Sequence, residues 1–432
     1  MLNWHMARWK ALLPAVMSVM IILAGVSACA QNQSAGPTFT NSTPVTIGIS
    51  LPLTKDFASD GQATEQGYQL WADMVNKSGG LLGRPVKLII LNDSSDPDQD
   101  AKNYRTLITQ DHVNLVFGPF SSLLTKAGAP VAQQYGYAFV EGEGGAPSVF
   151  AGNWSNLFDV SLPVANNLVT FAYYILSQPK QDRPKTIAYL TSDDPFTFPQ
   201  ITIVRSLLEH ALGPQSTVYA PKPGQEFNFA EGDNKAAAAD ADALARTHAD
   251  VAILGSPGLT DTQIYIQEFK KYHYNPRALI ATAGPDQGTD FIHAVGGIKF
   301  TEGTFVPNGW YPQANNFQNA EMVQAYIAKY GGTPDQINAD VAEAFSVGQV
   351  VQQAVEATQS ISNAQIIAKL QSGTVFNTVQ GTAQFDPPGS SDMGQNKQAI
   401  AYLFQWQGGQ FNPVYPYSAA AENPQYPKAA VF

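Results

Sequence analysis

Cysteine is almost absent from this chain of 432 residues, Cys29 being the only one. No disulfide can form within the chain, and CxxC metal or redox sites are excluded. The six histidines (His5, His112, His210, His248, His273, His293) show no i, i+3 or i, i+4 pairing, which argues against a zinc site built on one helix. HExxH, a Walker A loop and GxSxG are all missing, and Gly255-Ser256-Pro257-Gly258 has the wrong spacing for a nucleophile elbow. Gly142-Glu143-Gly144 starts a GxGxxG pattern that is never completed, so a dinucleotide site is poorly supported. Charge is scarce as well: 14% of residues are charged and the net charge is −11. That balance argues against nucleic acid, whose phosphates want Lys and Arg. The residues give no positive sign of an enzyme, a cofactor or a metal.

Long apolar runs are nearly missing too, and the exception is at the start. Arg8 and Lys10 precede an apolar stretch from Ala11 to Ala24. A helix needs about 20 residues to span a bilayer, so this run is short for an anchor and suits a signal peptide. It ends Val26-Ser27-Ala28-Cys29, which resembles a bacterial lipobox with Cys29 as the lipidated residue. Residues 1–28 are therefore expected to be a lipoprotein signal peptide. Residues 29–44, rich in Gln, Asn, Ser, Thr, Gly and Pro, are expected to be a flexible tether that holds the body within roughly 20 Å of the membrane. The expected location is extracytoplasmic, lipid-anchored, in the periplasm or at the cell surface.

What the chain does have is strand–helix alternation, and its centre is Asn114 to Gly145. Leu115–Phe117 is a short apolar run stopped by Gly118-Pro119. Ser121 or Ser122 can cap a helix carrying Leu123, Leu124, Ala127 and Val131, which Gly136 ends. Tyr137–Val140 is a second apolar run, followed by the turn Gly142 to Gly145. This is a βαβ unit, so its strands should be parallel and its crossover right-handed. Open parallel sheets hold ligands at the carboxyl ends of their strands, where Ser121, Ser122 and Glu143–Gly145 lie.

The same alternation precedes this unit: strand Val45–Leu51, helix Gly61–Asn76, strand Val86–Leu91, helix Asp100–Gln110. Phe150 to Pro163 is irregular. A second α/β unit then runs to Pro307, with strands at Thr186–Thr191, Thr217–Tyr219, Val251–Gly255, Ala278–Ala281 and Gly303–Val306. Helices fall at Asn166–Ser177, Ile201–Leu212, Lys235–His248, Thr260–Tyr272 and Asp286–Val295 between them. Three helices follow with no strand between them (Phe317–Tyr330, Asn338–Ala357, Asn363–Leu370), then strand patterns at Thr382–Phe385 and Ala399–Gln405. The helices fit if the chain has crossed back to cover the first unit. Phe196, between two prolines after Thr186–Thr191, suits covering a ligand or packing under a loop. Asp286 can cap its helix or face a ligand ammonium.

The opening IGISLPLT…GQATEQGYQLWADMVNKSGGLLGRPVKLIILNDSSDP, then VFGPFSS, IAYL, AGPD and the closing FQW, carry a resemblance. From about Val45 to Val414 the chain resembles the branched-chain amino-acid (Leu/Ile/Val) binding protein family, class I periplasmic solute-binding proteins of ABC importers. The resemblance implies two doubly wound α/β lobes joined by three crossover segments. These are expected near Ser161–Val164, Val306–Trp310 and Gly373–Gly381. Lobe 1 would comprise residues 45–163 and 308–375, lobe 2 residues 164–307 and 376–417, and residues 418–432 a C-terminal tail. It also implies that ligand sits between the lobes.

Position by position, Ser121 and Ser122 stand where the family binds a ligand's carboxylate and amine. Glu143 and Gly145, with Gly144 between them, lie in the loop that contacts the same groups. Gly145 replaces a Thr, Phe196 a Tyr, and Gly258 another Tyr. Asp286 takes the place of the acidic residue that pairs with the ligand ammonium, and Asp60 falls on a first-lobe loop where an aromatic is common. With half of this contact set changed, a branched-chain amino acid does not carry over as the ligand. Asp60, Glu143 and Asp286 facing one cleft would leave buried carboxylates unpaired, which is costly, so the expected ligand carries an amine or other cationic group. The implied partners are a small amino-acid-like, amide or amine-bearing solute and ABC permease subunits. The membrane is met through the lipid anchor alone, and the protein is expected to be a monomer. The alternative is a ligand sensor that signals to a partner receptor with the same clamp.

Overall fold

The computed structural model describes residues 39–418 and 420–432. The expected signal peptide, Cys29 and most of the expected tether lie outside the described residues. No described helix is long and apolar enough to cross a membrane.

The first half of the chain runs β1 (Val45–Leu51), α1 (Ala58–Lys77), β2 (Val86–Asn92), α2 (Pro97–Thr109), β3 (Leu115–Phe117), α3 (Ser122–Tyr135), β4 (Phe139–Glu141), α4 (Pro147–Phe150) and β5 (Leu157–Asp159). It continues α5 (Val169–Ser177), β6 (Ile187–Leu190), α6 (Thr197–Leu212), β7 (Thr217–Tyr219), α7 (Asn234–Ala245), β8 (Val251–Leu254), α8 (Leu259–Lys271), β9 (Ala278–Ala281), α9 (Gly288–Ala294) and β10 (Thr304–Asn308). The last part is α10 (Asn319–Tyr330), α11 (Ala339–Thr358), α12 (Asn363–Leu370), β11 (Phe376–Thr378), β12 (Gly381–Ala383), β13 (Tyr402–Gln407) and β14 (Gln410–Tyr415).

Local chemistry sets several of these boundaries. Asp96 caps α2 by accepting the Asp98 and Gln99 amides at 2.9 and 3.1 Å, with Pro97 preset in the first turn. Gly136 ends α3 in the left-handed conformation (φ 71°), where a Cβ would be strained. Asn338 caps α11 by accepting the Asp340 amide at 2.9 Å.

Two sheets result. The first is five-stranded and parallel, in the order β2-β1-β3-β4-β5. The second is seven-stranded, β14-β13-β10-β9-β8-β6-β7, parallel except for the antiparallel β10, β13 and β14 pairings. The parallel strands are buried apolar runs, as strands covered by helices on both faces must be. On the first sheet, α2 and α3 pack one face, while α1, α10, α11 and α12 share a core with the other. The three consecutive helices after β10 thus cover the first lobe. On the second sheet, one face packs against α5 and α6 and the other against α7 and α8. Each fully buried Leu, Val, Ile or Phe contributes about 1.5–3 kcal/mol, so both lobes hold substantial cores.

Helices α1 and α11 approach unusually closely because glycines face the contact. A Cβ on Gly67 would lie 2.3 Å from the Val341 carbonyl oxygen, and one on Gly348 would lie 2.3 Å from the Trp71 ring.

Some expected boundaries move. Asp60 lies in the first turn of α1, not on a loop, since α1 starts at Ala58. The irregular stretch Phe150 to Pro163 contains β5, which pairs with β4. The third passage between lobes falls later than Gly373–Gly381. Phe376, Val379, Ala383 and Phe385 belong to the first lobe's core, and Phe385 meets Phe158 edge-on at 5.2 Å. The hairpin β11–β12, a sheet of its own, therefore stays with the first lobe, and the chain reaches the second sheet only on entering β13. Residues 420–432 run along the second lobe: Gln425 is bonded to Gln405 of β13, and Phe432 stacks on Phe300 at 6.4 Å.

Candidate functional site

The strand tips of both lobes converge on one cavity. From the first lobe, Phe120 and Ser121 follow β3, and Gly142, Glu143 and Gly145 follow β4. From the second, Phe196 follows β6, Pro257 follows β8, and Thr282, Ala283 and Asp286 follow β9. The passages between the lobes close the side, with Leu162 and Val164 on one and Asn308 and Gly309 on another. Helix α11 adds Asp340 and Glu343. The cavity offers about 80 Å³ to the centres of water-sized molecules. A single water needs roughly 10–15 Å³ of such space, so the cavity is large enough for a small solute.

Five of the sequence-derived candidates line this cavity: Ser121, Glu143, Gly145, Phe196 and Asp286. Asp60, Ser122, Gly144 and Gly258 stand outside the wall, each for a visible reason. Asp60 is wholly buried and accepts a hydrogen bond from the Gln287 side chain of the other lobe. Gly258 lets the start of α8 approach it, since a Cβ there would come within 3.2 Å of Asp60 Oδ2. Gly144 packs on α3, with Thr125 Oγ1 at 2.5 Å from where its Cβ would sit. Ser122 is wholly buried, and of the serine pair only Ser121 reaches the cavity. Neither serine side chain caps α3; both hydroxyls are buried without a partner. Ser121 has φ 76°, a left-handed backbone that a serine rarely adopts and that turns the chain between β3 and α3. Asp286 does not cap α9, which begins at Gly288; its Oδ1 accepts the Gly284 amide at 2.9 Å.

The loop bearing Glu143 is held from below. Glu141, at the end of β4, accepts the Glu143 amide at 2.8 Å and the Gly144 amide as well. Glu143 itself accepts from Thr64 Oγ1 of α1 at 3.1 Å.

Electrostatically the wall is one-sided. Four carboxyl groups line it, and none of its lining residues is Lys, Arg or His. Burial pushes Asp286 up to about 6. Asp60, just behind, is pushed to about 8 by burial, with the charge of Asp286 adding to it. Glu143, Asp340 and Glu343 are raised well above the ordinary carboxyl range by burial first, then by mutual repulsion and their acidic neighbours. One oxygen each of Glu143, Asp340 and Glu343 lies within 4.8 Å of the others. All-oxygen donors of this kind suit a hard cation or an ammonium.

Sequence reasoning missed Asp340 and Glu343. Their signal was an i, i+3 pair of acids in an otherwise apolar stretch (Asp340-Val341-Ala342-Glu343-Ala344-Phe345), which puts both on one helix face. It also missed Asn308, whose buried Nδ2 has no hydrogen-bond partner.

Comparison with known proteins gives a consistent picture. A family model described as "Periplasmic binding protein" matches residues 44–410. A Leu/Ile/Val-binding protein homologue of Brucella abortus is 23% identical over 425 residues, spanning 94% of this chain and 99% of its own. Among solved structures, the branched-chain amino acid transporter substrate-binding protein LivJ from Streptococcus pneumoniae, in complex with isoleucine, superposes with a TM-score of 0.71 at 18% identity. It covers 86% of this chain and 98% of its own. A solute-binding protein of an ABC transporter from R. palustris, in complex with benzoate, gives 0.68 at 16% identity, over 90% and 98%.

Proposed function

Because the chain belongs to the periplasmic binding protein family, we propose that it captures a small amine-bearing solute between its two lobes for delivery to a membrane permease. The chain is a solute-binding protein and not an enzyme. The observation that carries the choice of ligand is the interlobe cavity lined by Glu143, Asp286, Asp340 and Glu343 and by no basic residue. An unpaired buried charge is costly, and a cationic solute removes that cost when the lobes close on it. A zwitterionic amino acid, an amino amide or an amine meets this requirement, and the apolar wall of Phe120, Phe196 and Pro257 accepts its carbon skeleton. Tethering through a lipid on Cys29 would keep the clamp beside its permease.

Calorimetry across amines, amides, amino acids and aromatic acids tests the ligand class. Binding is expected wherever an amine is present, and tight binding confined to anions overturns it. Replacing Cys29 with Ala should release the protein from the membrane fraction; an unchanged membrane fraction overturns the anchor. Crosslinking of the ligand-loaded protein to membranes is expected to trap a permease subunit, and capture of a receptor kinase instead would make it a sensor.

A further inference from the structure

Resting on that reading, we propose that the solute carries two ammonium groups, one held by Glu143, Asp340 and Glu343 and the other by Asp286. The first three belong to one lobe, on the β4 loop and α11, while Asp286 belongs to the other, on the loop after β9.

The geometry of the trio fits an ammonium. Oxygens no more than 4.8 Å apart leave their common centre at most about 2.8 Å from each, the length of a charge-assisted N–H···O bond. A primary ammonium has three N–H donors to place on three acceptors. Asp286 is not one of these three, and one of its oxygens already accepts the Gly284 amide, so an ammonium whose three donors are placed on the trio leaves Asp286 without a hydrogen-bonded cation of its own. Two further groups show that the cavity is built for a ligand. Ser121 and Asn308 line it, are only 4% and 5% exposed, and leave Oγ and Nδ2 unpartnered. Neither is acidic, and Asn308 Nδ2 is a donor that an oxygen on the solute would satisfy.

Two nitrogens also explain closure. A ligand drives the lobes together only through its extra affinity for the closed form. A monoamine seated in the trio is held by the first lobe alone, whereas a second nitrogen on Asp286 ties it to the other lobe.

Matched pairs test this by calorimetry: putrescine against butylamine, and ornithine against norvaline. The second nitrogen is expected to tighten binding about 10- to 100-fold, the worth of one more charged hydrogen-bonded contact. Asp286→Asn should abolish that gain, so that each diamino compound binds no tighter than its monoamino partner, and Glu343→Gln should weaken all four. Melting curves and circular dichroism on both variants confirm that they are folded. If butylamine or norvaline binds as tightly as its diamino partner, the inference fails and the amine reading stands. If none of the four binds while an aromatic acid does, both fail. Calcium chloride alone raising the melting temperature, with the rise lost in Glu343→Gln, would make the trio a metal site and overturn the inference.

Discussion

The side-chain amide of Gln287 donates a hydrogen bond to the carboxyl of Asp60, joining residues 227 positions apart across the gap between the lobes. Around it, Ser59 Oγ donates to Asp290 at 3.2 Å and Thr260 Oγ1 to the Asp56 carbonyl at 3.1 Å. These bonds bridge elements of the two lobes, so any separation of the lobes would have to break them.

Gln287→Ala should therefore favour the open form. A hydrogen bond to a carboxyl group is worth about 0.5–3 kcal/mol, so ligand affinity should fall about tenfold. Small-angle scattering of the empty variant should show a larger radius of gyration. Asp60→Asn keeps an acceptor for Gln287 and should lose much less. Equal losses in the two variants would contradict a latch.

The buried carboxyl groups set opposite pH trends for the empty and loaded protein. The folded-state value of Asp60 is raised from 3.8 to about 8, that of Asp159 to about 7 and that of Asp286 to about 6. Each holds a proton in the folded state that the unfolded chain has lost, so its contribution is complete below about pH 4 and disappears as pH rises through these values. The empty protein should melt several degrees lower at pH 8 than at pH 5. Affinity for a cationic solute should instead rise over that range, as the carboxyls that hold it ionise. Melting curves and calorimetry across that range check both slopes; parallel trends would contradict the account.

Gly67→Ala should act on the site without touching it. Its new Cβ would sit 2.3 Å from the Val341 carbonyl, forcing apart α1 and α11. Overpacking of this kind costs about 1–3 kcal/mol. Because α1 carries Asp60 and Thr64 while α11 carries Asp340 and Glu343, binding should weaken along with stability. Denaturant melts and calorimetry on one preparation test the link, and a stability loss with unchanged affinity would break it.

Gly145→Thr introduces the residue that the family resemblance places here in branched-chain amino-acid binders, yet it should not confer leucine binding. A Cβ here would lie 2.5 Å from Asp159 Oδ2 and 3.1 Å from the Leu162 carbonyl. The loop must move, and affinity for the natural solute should drop about tenfold or more. Tight leucine binding by the variant would show that the glycine alone excludes it.

The parts of the fold that sequence made legible are those whose signal is local. Strands such as Val45–Leu51 and Val251–Leu254 are β-branched or aliphatic runs between turn residues, and α2 announces itself with Asp96-Pro97. Strand β5 was hidden because its three residues, Leu157–Asp159, follow Gly152, Asn153 and Trp154 and become a strand only by pairing with β4. Strand β14 has a local signal in Gly408-Gly409, both at positive φ, a two-residue hairpin turn that joins it to β13. The cavity was half legible. Ser121, Glu143, Gly145, Phe196 and Asp286 sit at strand tips, where a parallel sheet places its ligands. Asp340 and Glu343 come from a helix that returns to the first lobe from far along the chain, and no local pattern ties them to Glu143. From sequence Asp60 reads as a cleft carboxylate, but its partner is a glutamine of the other lobe.

The most direct test of the central claim is the identity of the small molecule that co-purifies with the protein. Mass spectrometry of the solute released on denaturing freshly purified protein should find a compound with at least one cationic nitrogen. A crystal of the same preparation should place that nitrogen among Glu143, Asp340 and Glu343. An anionic solute without an amine, bound in that cavity, would contradict the account.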